Sequence, residues 1–324
     1  MVEEHLTLPE CITAMREVMI AVSEGETTLP IRTFMPVPNV PGKMAIMPGT
    51  IENPGPCFGI KLVCKFEHPA GSHYGSHVGM VLVFDSKKGI PLAMIEGASL
   101  TAIRTSAVSA LATDLLANRD AKSLAILGYG EQALRHIRSM LSVRDVDEIS
   151  VWGRDFAKAQ TFCKRMSKET GQKISAFETA KACVEDADLI CTTTASKTPI
   201  LEGTWLKSGC HVNLVGAAIP SSSEADLKVV TKSRYFVDYQ PAALAAAGEL
   251  LKAIDEGVVT ADHIVGEIGE VANGKVEGRM SPEDITVYKS LGVAAQDLAA
   301  GHKLYEIARS KEIGIEVNMM DYDA

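Results

Sequence analysis

The sequence has no apolar run long enough to cross a membrane as a helix, no C-x-x-C pair, no internal repeat and no low-complexity segment. The first absence excludes a spanning α-helix. The opening residues, MVEEHLTLPE, are acidic and unlike a secretory signal, so a cytoplasmic protein is expected. There is no excess of cations either. Lys and Arg number 32 against 41 Asp and Glu, a formal charge of −9. That balance argues against a nucleic-acid partner or an anionic membrane surface, although it leaves room for local basic pockets. The seven cysteines are an odd number without close pairing, which suits a reduced compartment and free thiols. His68, His73 and His77 cluster in EHPAGSHYGSH, but the cysteine or carboxylate pattern of a zinc site is missing. A polar glycine-rich turn, and no metal, is expected there.

What is present is the composition of a soluble globular chain, with 46% hydrophobic and 23% charged residues over a length that points to two domains. Leu8–Glu24 has helical apolar spacing at Ile12, Met15, Val18, Met19 and Val22, and Thr7 with Glu10 forms a capping-box pattern. Thr28–Val37, Lys43–Pro48, Phe58–Lys65, Val78–Phe84 and Leu92–Glu96 read as strands of an antiparallel sheet. Ala98–Asn118 is a helix rich in small residues. Beyond it strands and helices alternate, as a parallel doubly wound sheet requires, and Leu291–Ser310 reads as a long final helix returning to the first domain.

The nucleotide half is organised around Ser123–Ile137, SLAILGYGEQALRHI. Leu124–Leu127 is a short apolar strand, Gly128-Tyr129-Gly130 a tight turn, and Ala133, Leu134 and Ile137 begin a helix. Gly128 permits the turn, Gly130 lets backbone approach a pyrophosphate, and the helix N-terminus offers free N–H groups to that anion. Ala133 completes G-x-G-x-x-G/A. An ordinary strand–helix turn can carry the same glycines, but the flanking elements favour a dinucleotide site.

The next strand ends Val151-Trp152-Gly153-Arg154. NAD-selective Rossmann domains place an acid there for the ribose hydroxyl. Here Gly153 stands at the tip with Arg154 beside it, and a guanidinium binds a 2′-phosphate that an acid repels. Lys158 offers a second cation, whereas Asp155 offers a carboxylate one residue late. NADPH is therefore expected in preference to NADH, with use of NADH left open.

Arg32 in PIRTF and Lys61 in GIKLV fall on expected strands, and Arg104 in TAIRT on the small-residue helix. Cations among apolar neighbours need anionic partners, and the three together suggest a pocket for a substrate carboxylate.

With these residues in view, the chain resembles the ornithine cyclodeaminase/mu-crystallin family. The matching stretches are PIRTFMPV, MPG, GIKLV, TAIRTSAVSALAT, ILGYGEQA, VWGR, NLVGAAIP, EIGEV and YKSLGVAAQDLAA. The resemblance implies an α/β chain: a Rossmann doubly wound parallel sheet (119–297) plus an α+β substrate-binding and dimerisation domain (1–118) completed by a C-terminal helix (298–324). It implies that Arg32, Lys61 and Arg104 hold the substrate carboxylate, and that Lys61 moves the proton. Cofactor contacts are implied for Arg104, Gly128, Gly130, Glu131, Gln132, Gly153, Arg154, Val215, Gly216, Lys289 and Ser290, with Lys289 and Ser290 approaching the nicotinamide end. A homodimer is implied too.

One departure stands out. Cyclodeaminases of the family share G-x-D-x-P-G-K after the NxVG strand, and their aspartate handles the substrate amine. This chain reads VGAAIPSSSEAD, with Ala218 at that place and Asp226 out of position. Alanine neither binds an ammonium nor moves a proton. The expectation is NAD(P)H-dependent reduction of a cyclic imino acid, foremost 1-pyrroline-2-carboxylate to L-proline, with the six-membered homologue a further substrate. The alternatives are an ornithine cyclodeaminase or alanine-type dehydrogenase and, from another class, a non-catalytic nucleotide- and ligand-binding protein.

Overall fold

The computed structural model describes residues 2–66 and 78–317; the His68, His73 and His77 cluster and residues 318–324 of the expected terminal helix lie outside them. After a short helix α1 (Val2–His5), Thr7 caps α2 (Leu8–Ser23), and the expected capping box with Glu10 is present. Strands β1 (Thr27–Thr28), β2 (Thr33–Val37), β3 (Gly42–Ile51), β4 (Cys57–Phe66), β5 (Val78–Asp85) and β6 (Pro91–Glu96) form an antiparallel sheet. Its path is β1-β3-β4-β5-β6, and β2 pairs the other end of β3. The expected continuous strand Thr28–Val37 is broken, because Leu29–Arg32, containing Pro30, leaves the ladder. Proline has no N–H to donate to it.

Glu96 accepts hydrogen bonds from the N–H groups of Ala98 and Ser99 and so caps α3 (Gly97–Leu116). This helix is buried over most of its length. Its small residues allow that, because neighbouring elements can close on it from several sides. It packs on α2, on β5 and on the first helix of the nucleotide half.

The second sheet is eight-stranded and wholly parallel. Its first half is β7 (Ser123–Leu127), α4 (Glu131–Val143), β8 (Glu148–Trp152), α5 (Phe156–Thr170), β9 (Ile174–Phe177), α6 (Ala180–Val184) and β10 (Leu189–Thr192). The second half is β11 (His211–Leu214), α7 (Leu227–Lys232), β12 (Arg234–Val237), α8 (Gln240–Ala246), α9 (Gly248–Asp255), β13 (Ile264–Glu267), α10 (Ile268–Ala272) and β14 (Thr286–Lys289). The order is β13-β12-β14-β11-β10-β7-β8-β9. The strand order reverses between β7 and β10, the crevice where doubly wound sheets bind nucleotides. Apolar clusters cover both faces, one around Ile126, Ile137 and Met166 and the other around Ile190, Val212 and Leu250.

The last described helix is α11 (Ala294–Lys311), which packs on β3, β4 and α2. It begins three residues later than the sequence suggested, because Leu291–Val293 makes an irregular turn in which Gly292 has φ +76°. No described helix is long and apolar enough to cross a membrane.

Candidate active site

Gly49 and Gly59 face each other across β3 and β4 and form the seat of α11. A Cβ on Gly59 would stand 2.7 Å from Leu298 Cδ2, and one on Gly49 3.0 Å from the Ala294 Cβ. Without those side chains α11 closes on the sheet, and this approach puts Asp297 over β4. Alternation along β4 turns Lys61 to the same inner face as Cys57, Gly59 and Val63. Lys61 Nζ donates to Asp297 Oδ1 at 2.9 Å. Arg104, from α3, donates to the same oxygen through Nε at 2.8 Å and to Gln296 Oε1 through Nη1 at 2.7 Å. All three charged groups are buried, Asp297 completely. Its second oxygen, Oδ2, has no donor among the described residues.

Burial, and then the neighbouring Arg104 charge, push the Lys61 ammonium down to about 7; Asp297 only partly opposes them. Burial alone would raise Asp297, but the Arg104 and Lys61 charges outweigh it and hold the carboxyl below its ordinary value. A lysine poised near neutrality can both give and take a proton.

Arg32 comes from the irregular stretch before β2 rather than from a strand. Its Nη2 donates to the carbonyls of Leu291 at 2.5 Å and Gly292 at 2.6 Å. On the other side of the same turn, the N–H groups of Leu291 and Gly292 donate to buried Asp238 Oδ2 at 2.8 and 2.6 Å. The turn leading into α11 is thus held from both sides by opposite charges. A cavity of about 230 Å³ opens beside it, lined by Arg32, Phe34, Met47, Tyr239, Gly292 and the Ala218-Ile219-Pro220 loop, among others. No Asp or Glu lines it among the described residues.

At the sheet's crevice, Gly128 has φ +130°, and its N–H donates to Trp152 O at 2.8 Å. The space around Gly130 is open, and no side chain caps α4. Gln132 Oε1 is buried without a donor among the described residues. An open backbone at an uncapped helix start and an unsatisfied buried acceptor fit a dinucleotide. Arg154 is exposed and unpaired among the described residues, whereas Asp155 caps α5 by accepting from Lys158 N at 3.0 Å. Glu131 turns along its own helix to Arg135. Val215 and Gly216 follow β11, their N–H groups on Thr192 O, and Glu224 fastens Gly216 N and Thr194 N at 2.6 and 2.7 Å.

Residues 1–312 match the ornithine cyclodeaminase/mu-crystallin family. The chain belongs to that family. A relative named Delta(1)-pyrroline-2-carboxylate reductase, from Bacillus cereus, is 34% identical over 90% of both chains. Ketimine reductase mu-crystallin of Mus musculus is 32% identical over 94% of both. A solved structure of Thermococcus litoralis Delta(1)-pyrroline-2-carboxylate reductase in complex with NADH and L-proline superposes with a TM-score of 0.93, covering 98% of each chain at 30% identity.

Set against what the family resemblance implied, two side chains sit differently. The Lys289 ammonium turns inward: it is fully buried, 2.7 Å from Glu249 Oε1 and donating to Ala217 O at 2.6 Å. A buried ammonium keeps its charge only beside such a partner. Arg32 is engaged by the Leu291–Gly292 carbonyls, though it still lines the cavity. Ser290 is buried after β14, and its N–H donates to Leu214 O. The residue that sequence reasoning missed is Asp297. Its signal was present, as the one acid in LGVAAQDLAA, a stretch otherwise almost free of polar groups. Buried cations called for an anion, and α11 supplies one.

Proposed function

We propose that this chain reduces a cyclic imino acid, foremost 1-pyrroline-2-carboxylate to L-proline. The observation that carries the reading is the buried Lys61–Arg104–Asp297 cluster, whose Arg104 packs on Gly292 in the wall of a cavity with Ala218, not a carboxylate, in its lining. A nicotinamide cofactor supplies the hydride when bound. Arg104, whose Nη2 has no hydrogen-bond partner among the described residues, and Arg32 orient the substrate carboxylate. Lys61 holds the proton that keeps the ring nitrogen charged, so that the imine carbon stays electrophilic. Asp297 keeps Lys61 from losing that proton too readily. Among the described residues of the cavity lining no carboxylate is present to bind the second amine of a diamino acid, which disfavours cyclodeamination. The test is a panel of cyclic imino acids, keto acids with ammonia, and ornithine, each with NADH and NADPH. Turnover of pyrroline-2-carboxylate without added ammonia is expected. Ammonia release from ornithine, or no turnover of any imino acid, would overturn the reading.

The cofactor we propose is NADPH, because Arg154 is exposed and Asp155 is spent on its helix. Arg154→Ala is expected to lower the NADPH/NADH ratio of kcat/KM by about tenfold or more, the scale of losing a charge-assisted hydrogen bond. A wild-type preference for NADH, or an unchanged ratio, would remove Arg154 from this role.

A homodimer through the first sheet belongs to the same proposal. Phe58, Ile60 and Leu62 on β4 pair with Phe84, Leu82 and Met80 on β5, and Met94 on β6 adjoins Leu82. All lie on the face opposite the buried Val81 and Val83, and Met94 is 72% exposed. A continuous apolar face of this kind marks an interface. Sedimentation is expected to show a dimer, and Leu82→Glu a monomer; a monomeric wild type at working concentration would contradict it.

A further inference from the structure

The tip of β8 carries a feature that bears on cofactor choice independently of Arg154. Gly153 is buried directly beneath the Tyr129 ring: a Cβ built on it would stand 2.2 Å from both Cδ1 and Cε1. Real Cβ atoms do not come that close, so any side chain at this position must displace the ring. Tyr129 comes from the turn beside this strand tip. It is the middle residue of the Gly128–Gly130 turn, whose N–H at Gly128 is tied to Trp152 O. Its ring packs partly buried against the cluster of Ile126, Ile137 and Val151. Its hydroxyl has no hydrogen-bond partner among the described residues.

We propose that Tyr129 constrains position 153 to glycine: its ring fills the space over the strand tip that a ribose-binding carboxylate there needs, and so closes this chain to the acid that selects NADH. The inference rests on the reading that a nicotinamide dinucleotide binds at the Gly128–Gly130 turn. It makes a prediction that Arg154 does not. The two positions, 129 and 153, must depend on each other. An acid introduced at 153 alone collides with the ring and drives it toward the adenosine side of the cofactor, whatever the charge of the incoming ribose. With the ring removed, the same acid has room to accept from the 2′- and 3′-hydroxyls of NADH and to repel the phosphate of NADPH.

The experiment titrates NADH and NADPH into purified protein, reading dissociation constants from nucleotide fluorescence, with thermal melts to confirm folding. It uses the wild type, Tyr129→Ala, Gly153→Asp and the double variant. Gly153→Asp is expected to weaken both cofactors tenfold or more. Tyr129→Ala is expected to change the NADPH/NADH ratio little. The double variant should recover NADH to near wild-type affinity while NADPH stays weak. Gly153→Ala, alone and with Tyr129→Ala, separates bulk from charge: the single change should weaken both cofactors equally, and loss of the ring should restore both. If Gly153→Asp alone binds NADH as well as the double variant does, or if the double variant gains nothing over the single, the proposal is overturned. The wild-type ratio speaks only to the Arg154 reading. Failure of every protein to bind either dinucleotide would overturn the cofactor site itself, and this inference with it.

Discussion

Lys61→Met is expected to lower turnover by about 10²–10⁴-fold, the usual contribution of a positioned proton donor, with NADH and NADPH binding unchanged. Methionine preserves the length and apolar stem of a side chain only 3% exposed, so packing on the inner face of β4 survives. Asp297 keeps its ion pair with Arg104 at 2.8 Å, so no buried charge is left alone. What disappears is the proton at Nζ. The pH dependence follows from the same group. Burial and Arg104 place the Lys61 titration at about 7. Reduction uses the protonated ammonium, so kcat/KM in that direction falls as pH rises through about 7. Oxidation of the product uses the neutral amine and rises over the same range. The methionine variant should lose that limb altogether, and near-normal turnover with the limb intact would remove Lys61 from the proton transfer.

Asp297→Asn is expected to move the limb rather than abolish it. The amide keeps the shape of the carboxylate but leaves Lys61 and Arg104 facing each other without their shared anion. Arg104 cannot shed its proton, so Lys61 does so more readily, and the limb shifts to lower pH. Breaking a buried ion cluster in this way costs about 3–5 kcal/mol of folding stability, toward the lower end because Lys61 can become neutral. Chemical denaturation measures the loss, and the pH profile of kcat/KM measures the shift. A purely architectural Asp297 would lower stability and leave the limb where it is in wild type. That result would detach Asp297 from the chemistry.

Local order was legible where the physics is local. The Thr7–Glu10 box, the alternation in β4, the apolar run of β5, the glycine turn after β7 and the missing acid after β8 each rest on residues a few positions apart. They were enough to place Lys61 on a strand, Arg104 on a helix of small residues and a tight turn at Gly128–Gly130. The short strands β9, β13 and β14 were not legible, because four residues are too few to carry a period that separates strand from helix.

By itself the sequence determined the family, the doubly wound half, the glycine turn and the presence of three cations in search of an anion. Only the tertiary structure decided that two of them, Lys61 and Arg104, share Asp297 while Arg32 is held by backbone carbonyls. Asp297 lies 236 positions from Lys61 and 193 from Arg104, and it reaches both because the paired glycines of β3 and β4 let α11 close on the sheet. Tertiary structure likewise turned Lys289 inward to Glu249, left Arg154 exposed and laid Tyr129 over Gly153. A side chain's charge is written in the sequence, but its partner is set by which distant elements pack together, and packing of that kind leaves no mark at short range.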